Sequence, residues 1–416
     1  MNVYVVGGAI RDELLGTPPQ DRDYVVVGAT PGQMIAQGFR PVGKSFPVFL
    51  HPRSQEEYAL ARTEHKTAAG YHGFHFSYSP DVTLEEDLAR RDLTINAMAR
   101  AVSCNGAMHG PVIDPFNGQM DLQSHIFRHV SDAFAEDPVR ILRVARFATR
   151  FTNFSVAPQT LLLMRKMVAE KEVEALAPER IWQEFARGLM ECKPSRMFDI
   201  LRQCGALEGM FPEIERLFSV SQRVNSQPES DIDAHVMMVI DYAAARHYAL
   251  PVRFAILAHN LGEPDILPPV LLPPIRYRYK TRNAENILRL CKRLRVPSDC
   301  RDLAVLVAHE YSNVQRAMEM EATALLHVLE RSDALRKPNR FIQALQACEA
   351  DFSGRLNSIY HPYPQAQRLL VALTAVRSVD AGAVAYRAAD KPARIKEAVH
   401  AARVQAIECA IREVSL

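Results

Sequence analysis

Short β-branched runs, separated by glycine-bearing turns, occupy the first hundred residues of the chain. Three of them, at 3–6, 24–27 and 47–50, lie between polar segments long enough to form helices. This alternation predicts a sheet-based head with helices packed against it. From about Asp132 the apolar positions follow helical periodicity to the end of the chain. The pattern therefore predicts an α+β fold whose remaining two-thirds is nearly all α.

Length and composition indicate a folded protein with more than one compact unit. At roughly 100–200 residues per domain, 416 residues suffice for several. Hydrophobic residues make up 48% and charged residues 24% of the chain, as in ordinary globular proteins. Fifty lysines and arginines nearly balance 48 acidic residues. Net charge therefore favours no particular partner, and any nucleic-acid contact must come from a local patch.

Cysteine usage and hydropathy bear on the compartment. The seven cysteines are scattered and form no C-x-x-C pair, which favours a reducing cytoplasm. No stretch of about 18 uncharged apolar residues is present, so we expect neither export nor a membrane span.

A glycine pair stands between the first predicted strand and a helix start. Gly7 and Gly8 follow the apolar run, and Arg11 falls in the first turns of the helix. Free backbone N–H groups at such a turn favour an anion such as phosphate, and Arg11 would add a charge. A tight structural turn is the alternative explanation, and the pair lacks the spacing of dinucleotide-binding folds.

Two aspartates precede the second strand. Asp21 and Asp23 are two residues apart, so an extended backbone points both carboxylates to one face. Like charges this close repel unless a cation lies between them, and hard oxygen ligands select Mg²⁺. The alternative is a solvated turn in which Arg22 neutralises its neighbours. Glu57 is a further candidate for the metal, although a surface strand glutamate is the commoner outcome.

A capping box opens the next chemically distinctive segment. Thr83 and Glu86 have the S/T-x-x-E spacing, which predicts a helix start there with Arg90 and Arg91 at the far end. The apolar alternation at 93–99 predicts a strand after it. An arginine at this junction suits a triphosphate; the alternative is compensation of the helix dipole and of neighbouring acidic residues.

Four arginines recur along the helix predicted from Glu136 to Arg150. Arg140, Arg143, Arg146 and Arg150 are three, three and four residues apart, so they share one helical face. Four like charges in a row are unfavourable without an anion nearby. A solvated basic face is the alternative reading.

Together these segments resemble a known family, the class II CCA-adding tRNA nucleotidyltransferases, and their relatives the bacterial poly(A) polymerases. Five motifs carry the resemblance, in order: GGAIRD at 7–12, DRD at 21–23, RRDLTINA at 90–97, DPFNG at 114–118 and EDPVR at 136–140. The resemblance implies a polymerase-β-like nucleotidyltransferase head with a mixed sheet, followed by an all-α neck, a body of the HD type and a tail. We expect the head at 1–131, the neck at 132–224, the body at 225–335 and the tail at 336–416.

The resemblance also implies roles for individual residues. Asp21 and Asp23 would be catalytic and bind Mg²⁺. The nucleotide-binding residues would be Gly8, Arg11, Arg91, Asp137, Arg140 and Arg143. A carboxylate accepts from an amino group and a guanidinium donates to ring acceptors. Cytosine and adenine both present an amino donor beside a ring acceptor, whereas guanine and uracil present the opposite pattern, so an Asp/Arg pair favours CTP and ATP.

The resemblance weakens in the predicted body. Several relatives carry there a phosphohydrolase site made of a lone His, a His-Asp pair and a distal Asp. The counterparts in this chain are His235 and the pair His259-Asn260. An amide is a poorer ligand than a carboxylate for a divalent ion, so we expect that phosphohydrolase activity has been lost.

A basic segment follows the altered pair. Arg276, Arg278 and Lys280 alternate with two tyrosines, and basic groups with aromatic rings between them suit phosphates and bases. They are candidate tRNA contacts; a solvated amphipathic helix from Asn283 onward is the alternative.

The predicted function is template-independent addition of CCA to the 3′ end of tRNA from CTP and ATP. A poly(A) polymerase and a non-catalytic RNA-binding protein are the alternatives. We expect a cytoplasmic monomer or homodimer with tRNA as partner and no membrane association.

Overall fold

A computed structural model of the protein describes residues 1–19, 21–42, 48–66, 74–103, 106–221, 232–261, 273–354, 362–387 and 394–414. The chain divides into two compact units. The first comprises Met1–Glu184 and Arg196–Met210, and the second comprises Phe185–Ser195 and Phe211–Leu416. This division groups the head with most of the neck. The predicted four-part division is finer and stays a prediction.

The first unit is built on strands. They are β1 (Asn2–Val6), β2 (Asp23–Val27), β3 (Arg40–Pro41), β4 (Val48–Leu50), β5 (Glu57–Leu60), β6 (Thr63–Lys66), β7 (Phe74–Ser77), β8 (Ala99–Val102), β9 (Met108–Ile113), β10 (Ile126–Phe127) and β11 (Ser155–Val156). Seven of them form one sheet in the order β3-β4-β5-β2-β1-β8-β9. Only the β2–β5 pair within it is parallel, which confirms a mixed sheet.

Helices accompany the sheet and dominate after it. Those that begin before residue 211 are α1 (Gly8–Leu14), α2 (Pro31–Ala36), α3 (Leu84–Ala89), α4 (Gly118–Gln123), α5 (Val139–Arg150), α6 (Pro158–Ala169), α7 (Pro178–Met190), α8 (Ser195–Gln203) and α9 (Ala206–Met210). Beyond Asp132, the described chain contains only β11 as a strand. The predicted change from sheet to helix is therefore confirmed.

The two faces of the sheet bury different side chains because strand residues alternate in direction. On one face Tyr24 and Val26 pack with Ile10 of α1 and Met34 of α2. On the other face Val25 packs with buried residues that include Leu88 of α3. Helices therefore cover both faces of β2.

The second unit is helical throughout its described residues. Its remaining helices are α10 (Pro212–Ser221), α11 (Ile232–Ala245), α12 (Leu250–Ala258), α13 (Pro273–Leu294), α14 (Ser298–Gln315), α15 (Ala322–Arg331), α16 (Pro338–Ser353), α17 (Pro364–Ser378), α18 (Ala381–Arg387) and α19 (Ile395–Val414). Helix α12 is buried at every position from 252 to 258 and packs against α11, α14 and α16. The core of this unit is therefore centred on α12.

Arg253 ties α12 to the end of α7 within the same unit. Its side chain is 3% exposed and donates to the carbonyl oxygens of Leu189 and Glu191 at 2.7 and 3.0 Å, and to that of Tyr248 at 2.8 Å. The last carbonyls of a helix lack intrahelical partners. Arg253 therefore supplies the donors that let this helix end be buried.

Hydropathy along the helices bears on membrane association. No single described helix is long and apolar enough to cross a bilayer, and the bent pair α17 and α18 meets that test by length and composition only.

Candidate active site

The two aspartates lie where β2 begins, beside the end of β1. Asp23 is the first residue of β2 and pairs with Val6, the last residue of β1. Asp21 precedes it by two residues, and both side chains are exposed. Neither forms an ion pair with any residue that the structure describes. Exposed carboxylates without a cationic partner suit a hard divalent cation.

Arg22 does not pair with either neighbour within the described chain. The nearby Tyr24 hydroxyl donates to Glu56 Oε1 at 3.3 Å. The ring of Tyr24 stacks on Tyr58 of β5, with centroids 4.2 Å apart and planes 2° from parallel. Burial is the main cause that raises the pKa of Tyr24. The alternative in which Arg22 neutralises the aspartates is therefore not what the structure contains.

The parallel pairing of β2 and β5 bears on a third metal ligand. Tyr24 pairs with Tyr58, so Glu57 follows the same register and lies beside Asp23 on the same face. In the described residues, however, no three His, Cys, Asp or Glu side chains are grouped closely enough to hold a metal ion. The role of Glu57 stays a prediction that the strand register supports and the side-chain placement does not.

Arg91 lies against the glycine turn that follows β1. Gly7 has φ 72° and ψ −127°, a conformation that side chains with a Cβ rarely adopt. A Cβ at Gly7 would stand 3.0 Å from Nη1 of Arg91. The Nε of Arg91 is buried and has no hydrogen-bond partner among the described residues. A donor left unsatisfied beside an open glycine turn suits a bound anion.

Arg11 is buried next to this turn, with its donors engaged inside the protein. Its guanidinium donates to Asp12 Oδ1 at 2.9 and 2.7 Å and to Asn96 Oδ1 at 2.6 Å. It also lies over the rings of Phe147 and Phe151, 5.3 and 5.0 Å from their centroids. Burial is the largest cause of the lowered pKa of Arg11. Its predicted contact with a triphosphate stays a prediction; in the structure it joins α1 to α5.

The capping box forms as predicted. The Thr83 hydroxyl accepts from the backbone N–H of Glu86, whose side chain in turn accepts from the Thr83 backbone N–H. The predicted strand at 93–99 is wrong. Residues Thr94–Asn96 form a 3-10 turn instead, because the Asp92 carboxylate accepts from the Leu93 N–H and the Asn96 side chain at 2.8 and 3.0 Å. A side chain that bonds nearby backbone competes with the sheet ladder.

Asp137 immediately precedes α5 and is held from two directions. The guanidinium of Arg180 in α7 donates to both of its carboxylate oxygens, at 3.1 and 2.7 Å. The Val139 N–H donates to Oδ1 at 3.2 Å. The sequence alone did not identify Arg180, because it lies 43 residues from Asp137 in the chain and outside the five motifs.

Arg140 faces backbone rather than solvent. It is 8% exposed, and its Nη1 and Nη2 donate to the carbonyl oxygens of Ala133 at 2.9 Å and Arg90 at 2.6 Å. A base that paired with Arg140 would therefore replace these carbonyls or share the donors with them. Its predicted role in base selection stays a prediction.

The other arginines of α5 have carboxylate partners inside the protein. Three ion pairs join this face to its surroundings, Arg143 with Asp92 at 2.7 Å, Arg146 with Glu184 at 2.6 Å and Arg150 with Asp12 at 3.2 Å. The anions that such a row of like charges calls for are thus present nearby, because the folded chain supplies carboxylates. Asp12 and Asp92 belong to quoted motifs, and Glu184 stands four residues after Arg180, which puts both on one face of α7.

The histidine cluster of the second unit centres on a residue that the sequence did not identify. Asp351 Oδ1 faces the Nε2 atoms of His235 at 3.1 Å and His259 at 3.4 Å, and the Tyr311 hydroxyl donates to Asp351 Oδ2. Burial alone would raise the pKa of Asp351, but the two histidines hold it well below its usual range. Among the described residues, Asp351 contacts both histidines, and its match to the distal aspartate of the relatives stays a prediction.

Asn260 takes no part in that carboxylate cluster. Its side-chain nitrogen lies 3.4 Å from the Ile256 carbonyl and 3.4 Å from Nδ1 of His259. The described residues contain no group arranged to hold a metal here either. The basic residues Arg276, Arg278 and Lys280 fall within α13, but their side chains lie outside the described part of the structure.

Two family models match the chain. The one described as "Poly A polymerase head domain" matches residues 3–128. The one described as "Probable RNA and SrmB- binding site of polymerase A" matches residues 153–218. Together they cover the mixed sheet and helices α6 to α9, and leave α5 between them unmatched.

Curated relatives match over nearly the whole length. A protein named Multifunctional CCA protein from Paraburkholderia phytofirmans is 67% identical over 411 residues, which is 99% of this chain and 100% of the relative. A protein of the same name from Burkholderia lata is 64% identical over 99% of each chain.

Solved structures share the fold at lower identity. A CCA-adding enzyme in an apo form superposes with a TM-score of 0.66 and 20% identity over 100% of this chain and 92% of the other. The Bacillus stearothermophilus CCA-adding enzyme in complex with CTP superposes at 0.62 with 23% identity, covering 98% and 88%. The Thermotoga maritima CCA-adding enzyme complexed with tRNA superposes at 0.52 with 22% identity, covering 91% and 78%.

Proposed function

The chain belongs to the family of multifunctional CCA proteins, and we propose that it adds C, C and A to the 3′ end of tRNA from CTP and ATP, without a template and with release of pyrophosphate. The observation that carries this proposal is the 67% identity to a named member over 99% of the chain. The chemistry of the head supports it, since the aspartates without a described ion-pair partner, the glycine turn and Arg91 lie at one end of the central strands.

Asp21 and Asp23 would hold Mg²⁺. Their exposed oxygens and their lack of an ion pair within the described chain fit a hard cation. Bound there, the metal would promote attack by the terminal 3′-hydroxyl and stabilise charge on the α-phosphate. The aspartates themselves would orient the reacting ends, because the β1–β2 register holds Asp23 beside the glycine turn.

Gly8, Arg11 and Arg91 would bind the triphosphate. Arg91 is the best placed of the three, because one terminal nitrogen lies at the Gly7 backbone and its Nε has no described partner. Arg11 would contribute mainly by fixing the turn, since its guanidinium already meets Asp12 and Asn96. The phosphates of CTP and ATP would thus bind beside positive charge that is already in place.

Asp137, Arg140 and Arg143 would select the base. The Asp137 carboxylate accepts from an exocyclic amino group, and a guanidinium donates to the neighbouring ring acceptor. Guanine and uracil present a carbonyl where cytosine and adenine present the amino group, so the carboxylate would face an acceptor. Arg180 supports this assignment because it holds the Asp137 carboxylate in a fixed plane before any nucleotide binds.

Single-nucleotide incorporation tests the proposal. The wild type should extend tRNAs that lack the last three, two or one nucleotides by C, C and A respectively, and stop. A ladder of adenylates would indicate a poly(A) polymerase instead. Asp21→Ala and Asp23→Ala should each lower turnover about 1,000-fold or more with tRNA affinity retained. Asp81→Ala, an exposed aspartate of the same unit, is the matched control. Substantial turnover in both active-site variants would contradict the metal assignment, and absence of turnover in the wild type would favour a non-catalytic RNA-binding protein.

The second unit would have lost phosphohydrolase activity. Asn260 replaces the carboxylate of the predicted metal pair, and Asp351 is already surrounded by His235, His259 and Tyr311. Purified wild type should therefore not hydrolyse 2′,3′-cyclic phosphates when Mn²⁺, Ni²⁺ or Mg²⁺ is added. Metal-dependent hydrolysis that His259→Ala abolishes would contradict this.

The remaining assignments concern partners and setting. The protein would act in the cytoplasm as a monomer or homodimer. Arg276, Arg278 and Lys280 would contact tRNA phosphates. Reversing the charge of Arg276 and Arg278 should weaken tRNA binding and flatten its salt dependence, because fewer counterions are released; an unchanged slope would remove these residues from the interface.

A further inference from the structure

A buried carboxylate lies directly behind the two adjacent arginines of the head. Asp87, in the last turn of α3, is 0% exposed. Its Oδ1 accepts from Nη2 and Nε of Arg90 at 2.6 and 3.2 Å, and its Oδ2 accepts from Nη2 of Arg91 at 3.2 Å. The backbone N–H of Arg62 donates to Oδ1 at 3.3 Å. Four donors thus converge on one carboxylate that water does not reach.

The two arginines differ in what else they contact. Arg90 also donates from Nε to the carbonyl oxygen of Arg62 at 3.1 Å, so its guanidinium is held by two different groups of the protein. Arg91 has one described bond, to Asp87, while its Nη1 lies at the Gly7 turn and its Nε is unsatisfied. Asp87 is therefore the described contact that decides where the Arg91 guanidinium points.

The carboxylate keeps its charge in this position. Burial alone would raise the pKa of Asp87, but the adjacent Arg90 and Arg91 lower it below its usual value. Arg90 and Arg62 together hold Oδ1, so Oδ2 remains for Arg91 in a fixed direction. A charge-assisted bond of this kind orients a planar guanidinium more strictly than a neutral one does.

We propose that Asp87 is a positioning residue of the triphosphate site, acting through Arg91 by holding its guanidinium over the Gly7 turn. This rests on the proposed role of Arg91 in triphosphate binding. Asp87 itself is too deeply buried to touch a nucleotide. Its loss would free Arg91 to swing away, so the protein would bind the phosphates less well while base selection at Asp137 would be unaffected.

A purely structural role for Asp87 in ending α3 would have different consequences. It would lower thermal stability and would affect binding of nucleosides and nucleotides alike. A positioning role affects only ligands that carry phosphates, and it disappears once Arg91 is removed. Comparing CTP with cytidine and combining Asp87 and Arg91 variants separates the two.

The experiment measures CTP dissociation constants for wild type, Asp87→Asn, Arg91→Ala and the double variant. Asp87→Asn should weaken CTP binding and inhibition by inorganic tripolyphosphate about tenfold while leaving cytidine inhibition unchanged. The double variant should bind no worse than Arg91→Ala, within about twofold, because interactions made through one group are not additive. Glu85→Gln, an exposed acid of the same helix, is the control and should bind as wild type.

Three outcomes would overturn parts of the scheme separately. Additive losses in the double variant, or unchanged CTP affinity in Asp87→Asn, would overturn the positioning role. Unchanged affinity in Arg91→Ala would overturn the proposed triphosphate contact. Side-chain NMR of labelled arginines distinguishes these cases, since the Arg91 signal should move in Asp87→Asn if Asp87 orients the guanidinium and should stay in place if it does not. If that variant does not fold, Asp87→Glu should weaken CTP binding by a smaller factor, and unchanged binding there would also overturn the role.

Discussion

Arg180 donates to both carboxylate oxygens of Asp137, at 3.1 and 2.7 Å, across 43 residues of sequence. This two-point contact fixes the plane of the carboxylate, which a single hydrogen bond would leave free to rotate. Both side chains are partly exposed, at 27% and 20%, so a base has room to approach. The pair therefore links α7 to the residue proposed to read the incoming base.

Arg180→Ala should reduce discrimination between nucleotides. Without its partner the Asp137 carboxylate loses its fixed plane, so KM for CTP and ATP should rise about tenfold while misincorporation of UTP increases. Steady-state incorporation with each nucleotide measures this. Arg316→Ala, which removes an exposed arginine paired with Glu319, should leave both values unchanged. Equal kinetics for Arg180→Ala and wild type would contradict the linkage.

Gly7→Ala should damage the nucleotide site as well as stability. The residue has φ 72°, and the new Cβ would stand 3.0 Å from Arg91 Nη1, so unfolding free energy should fall by about 1–3 kcal/mol and KM for CTP should rise. Gly16→Ala is the control, because Gly16 has φ 71° with nothing within 4 Å. It should lose stability by about 1 kcal/mol without a change in KM. A normal KM in Gly7→Ala would show that Arg91 tolerates displacement.

Asp92→Asn should remove an acid-sensitive part of the stability. Burial would raise the pKa of Asp92, but Arg143 and the Asn96 hydrogen bond hold it well below its usual range. A native pKa lower than the unfolded value of about 3.9 stabilises the fold at pH values above about 3.9. This stabilisation is lost as the pH falls below that value. We expect a loss of about 2 kcal/mol at pH 7, less than for a fully buried pair, because the Arg143 side chain is 37% exposed.

Urea unfolding at pH 7 and pH 3 checks this dependence. The difference between wild type and Asp92→Asn should shrink at the lower pH, where the Asp92 carboxyl binds a proton in the unfolded chain but stays charged in the folded protein. A difference of the same size at both pH values would mean that the charge of Asp92 does not contribute.

Asp351→Asn should destabilise the second unit without affecting nucleotide addition. The variant leaves His235, His259 and Tyr311 without the carboxylate they surround, and removing one partner from a buried charged cluster costs about 3 kcal/mol. Thermal unfolding should move to lower temperature, while CCA addition measured well below that temperature should remain. Loss of addition in a folded variant would reveal a link to catalysis.

Motif chemistry and periodicity predicted much of this molecule. The β-branched runs became β1 and β2, the capping box at Thr83 began α3, and the break near Asp132 marked the change to helices. These features depend on local interactions, which a short stretch of sequence contains in full. The wrong prediction of a strand at 93–99 also has a local cause, because the hydrogen bonds of Asp92 outweighed the apolar alternation.

Pairing between distant segments was beyond such reasoning. The residues along the chain predicted a row of arginines in α5, yet only folding brought Asp12, Asp92 and Glu184 to them. Likewise the sequence pointed to His235 and His259, but Asp351 reached them from α16 through tertiary packing. Short motifs therefore specify which residue types form the site. The partners that neutralise and orient these residues depend on long-range contacts, whose energies no local pattern encodes.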